Sequence, residues 1–95
     1  MEPISVTVTG RLARDPREFS TDRGPGISLW IEIPVIRGDR EYCRCLKAVA
    51  WGNLASNVAA SLHEKDRVTV RAGDIRAEHW TDSENNQRSC VAVTA

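Results

Sequence analysis

The sequence predicts an all-β fold with one short helix: a five-stranded Greek-key barrel with the helix between strands three and four. Three observations predict it. Apolar and polar residues alternate at period two through most of the first half, the pattern of half-buried strands. The period changes once, between Asn53 and Leu62, where apolar residues recur at helical spacing. Turn chemistry separates the segments: Asp15-Pro16, Gly24-Pro25-Gly26, Gly38-Asp39 and Asn85-Asn86. The 95 residues, 41% of them hydrophobic, suit one small domain, 1–95, with a thin core.

Strand one places Ile4, Val6, Val8 and Leu12 on one face and Ser5, Thr7, Thr9 and Arg11 on the other. Gly10 between them suits a bulge or sharp bend. The stretch "DPREFSTDRGPG" reads as a loop or wide hairpin. Strand two, "ISLWIEIPVI", turns Leu29, Ile31, Ile33 and Val35 one way and Trp30, Glu32 and Pro34 the other. Pro34 cannot donate a ladder hydrogen bond, so an edge or irregularity is expected there. A turn over Arg37–Arg40 leads into strand three, "EYCRCLKAVAW".

The helix stripe is Leu54, Ala55, Val58, Ala59 and Leu62, with Asn53 as the expected N-cap and Leu54, Val58 and Leu62 as the plug of the barrel. "HEKD" ends it. Strand four is "RVTVRAGDIRAEHW", interrupted at Gly73. In the turn "TDSENNQ", Asn85 or Asn86 can take a left-handed conformation. "RSCVAVT" is strand five. This order matches the OB-fold, a partly open barrel that binds oligonucleotides and oligosaccharides on one face.

Composition bounds the chemistry. The formal net charge is zero, which neither supports nor excludes a nucleic-acid partner, because only the charge local to a groove matters. No apolar run approaches the ~20 residues that cross a bilayer, and the N-terminus lacks a signal-peptide pattern, so no membrane association is expected. Three cysteines without such a signal imply reduced thiols in the cytoplasm. Cys43-Arg44-Cys45, with Cys90, His63 and His79, lacks the paired spacing of a metal site; the thiols read as small buried hydrophobes, or as an inter-subunit disulfide in an oligomer. No Gly-x-Ser-x-Gly, Walker loop or His-Glu-x-x-His occurs, and the two histidines have no evident catalytic partners. No enzyme, cofactor or metal is expected.

Four stretches, in this order, carry a resemblance: "VTVTGRLARDP", with Gly-x-Leu and Asp-Pro in step, "AWGNLASNVAASL", "DRVTV" followed by "IRAEHWTD", and "QRSCVAVTA". Together they resemble the bacterial and phage single-stranded DNA-binding proteins, SSB, in an actinobacterial-like form. The resemblance implies homo-oligomers, tetramers by expectation with a dimer as the alternative, and location in the cytoplasm with the nucleoid. It implies wrapping and protection of single strands in replication, recombination and repair, with little sequence preference and no enzymatic activity.

Such a binder needs aromatic faces for bases and cations for phosphates. Trp51 and Trp80 fall where the family has stacking aromatics, and alternation puts Trp80 on one face with Arg76 and Glu78, away from Ile75 and Ala77. Rings that cover barrel ends or oligomer contacts are the alternative. Trp30 lies opposite the Leu29/Ile31/Ile33 face, in groove or subunit interface. Lys47 aligns with a basic family position, and Arg76 belongs to the Trp80 face. Arg37, Arg40, Arg44 and Lys47 outnumber Asp39 and Glu41 and read as a cluster beside Trp51. Arg11, on the outward face of strand one, is a further phosphate candidate.

The sequence also departs from the pattern. Cys45 stands where the family has an aromatic, six residues before Trp51, and Tyr42 would replace it if the register shifts. The loop between strands two and three is short and lacks its aromatic. Fewer stacking partners imply weaker binding or a smaller site. Lys65 replaces the glycine of the helix exit, at a cost of about 1–2 kcal/mol if it is left-handed. One extra residue before Gly73 reads as a bulge in strand four. Glu78 puts a negative charge where a basic residue is common. The family's disordered tail, with its acidic-hydrophobic end that recruits partners, does not follow Ala95; a trimmed core or a tail-less form is expected, without recruitment through such a tail. Neutral charge, Glu78 and Cys45 support an alternative: an SSB-derived protein–protein adaptor of the primosome type with weak DNA binding.

Overall fold

A computed structural model describes residues 4–95. Along the chain run β1 (Val6–Leu12), β2 (Arg17–Thr21), β3 (Gly24–Arg37), β4 (Arg40–Trp51), α1 (Gly52–Ser61), β5 (Arg67–Ala72), β6 (Asp74–Thr81) and β7 (Gln87–Thr94). The mostly-β architecture and the helix directly after the strand that ends at Trp51, here β4, agree with the sequence reading. The strand count differs, for two reasons.

The first is β2. The expected loop contains a strand that pairs with β3 from Arg17↔Ser28 to Thr21↔Gly24. Gly24, Pro25 and Gly26 accordingly lie inside β3, not in a turn. Phe19, the single large apolar residue of that stretch, gives β2 its reason to dock. The second is Gly73, where the expected bulge is a corner. β5 pairs with β1, and β6 with β7. The sheet order is β5-β1-β3-β4-β7-β6, so the two halves of the expected fourth strand stand at opposite ends and the chain joins them at Gly73. Thr94 N–H donates to Asp74 Oδ1 at 2.7 Å and Gly73 N–H to the Thr94 carbonyl at 3.2 Å, which fixes the corner.

Alternation builds the core. Val8 and Leu12 of β1, Leu29 and Ile31 of β3, Ala48 of β4, Val68, Val70 and Ala72 of β5 and Val93 of β7 form one buried cluster. Ile4 precedes β1 and is exposed, so the buried face of that strand starts at Val6. Gly10 sits where β1 passes from β5 to β3, and a Cβ there would collide with the Glu32 carbonyl.

The helix starts one residue before the expected cap. Trp51 holds the N-cap position with extended backbone and no side-chain cap bond. Ala55 is buried with Val58 and Ala59 packed partly beside it, and Leu62 packs against the main cluster, while Leu54 is 47% exposed. The plug is thus a stripe at i, i+3, i+4, i+7 centred on a small residue. At the exit Lys65 is left-handed, φ 75°, as the missing glycine suggested. Its N–H donates to the Leu12 carbonyl at 2.9 Å, and Asp15 accepts from Glu64 N–H at 2.8 Å, bonds that offset the strain. Asn85 takes the left-handed position of the β6–β7 turn, φ 65°.

Beyond Glu32 and Cys45, β3 and β4 pair only with each other, from Ile33↔Arg44 to Arg37↔Arg40. They form a two-stranded arm. Pro34 lies in it, where β3 has a single neighbour, which is the edge its missing donor predicted.

Candidate nucleic-acid interface

On β3 and β4 the side of the sheet away from the core carries matched pairs: Gly26 with Trp51, Trp30 with Lys47, Glu32 with Cys45. The rows continue outward through β7 and β6: Lys47 lies beside Ala92, and Ala92 faces Arg76, with Cys90–Glu78 and Arg88–Trp80 in the next rows. Trp51, Trp30, Trp80, Lys47 and Arg76 therefore share one face.

Two aromatic pairs mark that face. Phe19 and Trp51 meet edge to face, 5.2 Å between centroids at 87°, across Gly26. A Cβ at Gly26 would press into the Phe19 ring, so glycine is what lets the two rings meet. Such a pair adds about 0.5–1.5 kcal/mol beyond the area it buries. Trp30 and Trp80 form the second pair, 6.4 Å apart at 61°. The Arg14 guanidinium sits 5.2 Å and the Lys47 ammonium 5.9 Å from the Trp30 ring centroid. Trp80 is 42% exposed and borders a depression with Arg88 and Gln87; Trp51 borders another with Asp22 and Arg23.

A polar network joins β4, β6 and β7 beneath the second pair. Lys47 Nζ donates to Glu78 Oε1 at 2.9 Å. Arg76 donates to Glu78 Oε2 through Nε at 3.2 Å, with Nη2 at 3.1 Å from the same oxygen. Arg76 Nη1 reaches Asp74 Oδ2 at 3.2 Å and Thr94 Oγ1 at 2.8 Å. The Lys47 hydrogen bond, ahead of opposing desolvation, holds the Glu78 carboxyl below its usual range.

Other expected site residues stand elsewhere. Arg37 and Arg40 pair across the tip of the arm, at the end of β4 farthest from Trp51. Twelve residues of β4 extend over roughly 36 Å, so these arginines do not cluster beside that ring. The β3–β4 register runs unbroken from Gly26↔Trp51 to Arg37↔Arg40, so no shift brings Tyr42 into the place of Cys45. Tyr42 and Arg44 lie on the opposite side of β4 from Cys45 and Lys47, by simple alternation. Arg11 is exposed and faces Glu32, one row away from the Trp30–Lys47 pair.

Cys43 and Cys45 are exposed rather than buried, and Cys90 is half-buried. Desolvation and then the Glu32 carboxylate push the Cys45 thiol up; desolvation and then Glu78 do so for Cys90. Among the described residues no three His, Cys, Asp or Glu side chains are grouped to hold a metal ion. Two residues of the face escaped the sequence reading as site residues. Phe19 carried a signal, a lone aromatic in a polar stretch. Arg14 carried none; the Ala13 N–H to Trp30 carbonyl bond, 2.8 Å, places it.

The barrel and its aromatic, cation-bearing face define an oligonucleotide-binding domain. The model of the single-strand binding protein family matches residues 4–95, and the chain belongs to that family. Its fold is similar to the crystal structure of the small single-stranded DNA-binding protein from Streptomyces coelicolor, with TM-score 0.74 and 18% identity over 98% of this chain and 89% of that one. At that identity the likeness is one of fold. No curated protein matches the sequence. Membership carries single-stranded DNA binding as the general activity, in a family of binding proteins rather than enzymes. Among the described residues no helix is long and apolar enough to cross a membrane.

Proposed function

We propose that the chain binds single-stranded DNA without sequence preference and protects it during replication, recombination and repair, in the cytoplasm with the nucleoid. One observation carries the reading: two aromatic pairs lie on one outward face with Lys47 in register with Trp30. Bases stack on Trp80 and Trp51, each stacked base contributing about 1–3 kcal/mol. Trp30 and Phe19 back those rings. Lys47, Arg76 and Arg14 take phosphates along the same face.

Assembly as a homo-oligomer, a tetramer by family resemblance, has support from β6 and β7. Ile75 and Val91, 51% and 44% exposed, leave apolar side chains uncovered on the side of the sheet opposite Trp80, with Val91 beside half-buried Leu46. Titration with poly(dT) at low salt should quench tryptophan fluorescence, and light scattering should give the assembly mass. A folded protein without quenching would sink the reading.

A second reading, a protein–protein adaptor with weak DNA binding, is favoured by one feature: carboxylates already engage both Lys47 and Arg76. Trp51→Ala and Trp80→Ala variants that keep DNA binding but lose a partner contact would select it.

A further inference from the structure

We propose that Glu78 is an internal stand-in for a DNA phosphate, so that strand binding at the centre of the face exchanges one anion for another. The inference rests on the single-stranded DNA-binding reading above. Both oxygens of the carboxylate are used: Oε1 takes the Lys47 ammonium at 2.9 Å, and Oε2 takes the Arg76 guanidinium from Nε and Nη2 at 3.2 and 3.1 Å. Two cations from different strands thus converge on a single anion, the arrangement a bridging phosphate oxygen pair would receive. The anion lies where a strand would run. Lys47 is the cross-strand partner of Trp30, Glu78 is two residues from Trp80 on the same side of β6, and these two rings form the second aromatic pair.

The network is neither loose nor surplus. The Lys47 and Glu78 side chains are only 23% and 31% exposed, so the pair is held rather than freely solvated. Arg76 completes its bonding on Asp74 and Thr94. Lys47 and Arg76 are thereby balanced by Asp74 and Glu78, and these four side chains together carry no net charge before DNA arrives.

Counterion release makes this measurable. A free cation that neutralises a phosphate of a single strand adds about 0.7 to the slope of log K against log salt. A cation that first leaves a carboxylate adds much less, because the displaced carboxylate must recover a cation from solution. Unmodified protein should therefore show a salt dependence set mainly by other cations, Arg14 among them.

The experiment measures binding of an oligo(dT) by tryptophan quenching over a salt series, for the unmodified protein and for Glu78→Gln. Glu78→Gln is expected to bind roughly tenfold more tightly at low salt, as two charge-assisted bonds are freed for phosphate. Its salt slope should be steeper by about 1, and the advantage should shrink as salt rises. Should Glu78→Gln fold poorly, Lys47→Gln in the otherwise unmodified protein decides: a slope loss well under about 0.7 supports exchange, and a loss near that value overturns it. Equal or weaker binding by folded Glu78→Gln, with an unchanged slope, overturns the inference while leaving DNA binding intact. Absence of quenching by both proteins at low salt overturns the underlying reading and the inference with it.

Discussion

The two aromatic pairs of the outward face both meet edge to face and behave as different devices. Phe19–Trp51 is uncharged, sits over a glycine, and comes from β2 and β4, the two strands that flank β3. Trp30–Trp80 is ringed by Arg14, Lys47, Glu78 and Arg76 and joins strands that meet only through the parallel β4–β7 ladder. The first is a packing feature with a free face; the second is a stacking site where carboxylates already engage Lys47 and Arg76 and leave Arg14 to the ring. Ring geometry alone would not separate them. The charges beneath the rings do.

The comparison can be broken or sharpened by substitution. Gly26→Val should have the largest effect, because two rings must part to admit its side chain. We expect a loss of about 1–3 kcal/mol in chemical denaturation, with DNA affinity falling alongside. Full stability in that variant would show that the first pair is not packed as described. Trp80→Ala is expected to act the other way round: binding weaker by about 1–3 kcal/mol in oligo(dT) titrations, with little change in denaturation midpoint because the ring is 42% exposed. A large stability loss there would erase the distinction between the pairs. Arg14→Gln should weaken binding by about 0.5–1 kcal/mol at low salt and hardly at all at high salt, since its cation–π contact leaves its charge available to phosphate.

The smallest effect is set by acid. Glu78 is depressed in the folded state by Lys47 and then Arg76, with Asp74 and the Cys90 thiol as its other ionisable neighbours. A depressed carboxylate stabilises fully above its unfolded range, and that contribution is lost as pH falls through the folded value. Well under about 1 kcal/mol is expected at this part-exposed site. Thermal melts of Glu78→Gln should lack that acid-side decline while the unmodified protein shows it; identical profiles would remove the network from the account.

Legibility followed the reach of each signal. Period-two alternation is local, and Leu29, Ile31, Val68 and Val70 are buried as that pattern implies. Lys65 and Asn85 were legible because left-handed backbone restricts residue type. The strand β2 was hidden because glycine and proline signal turns whether or not a neighbour pairs with them. The helix start was missed by two residues because backbone at Trp51, not the Asn53 side chain, provides the cap position. Arg37, Arg40 and Arg44 were grouped with Trp51 by nearness in sequence, whereas a strand separates along its length and by alternate faces. Glu78 was readable as an unusual charge, but its partner Lys47 lies 31 residues away on another strand.

That separation has a kinetic meaning. Contacts distant along the chain must meet the loop-closure cost before they stabilise anything, and they form late. Phe19, Gly26 and Trp51 need only successive strands to come together, whereas Trp30 meets Trp80 only after the β4–β7 ladder has formed. In stopped-flow refolding of single-tryptophan variants, we expect Trp51 to reach its native emission before Trp80, and simultaneous recovery would argue against this order. A nascent chain interrupted before β7 would own one aromatic corner and the Arg14–Trp30–Lys47 contact but not the β6 half of the charged centre, so affinity for DNA would mature with the last eight-residue strand.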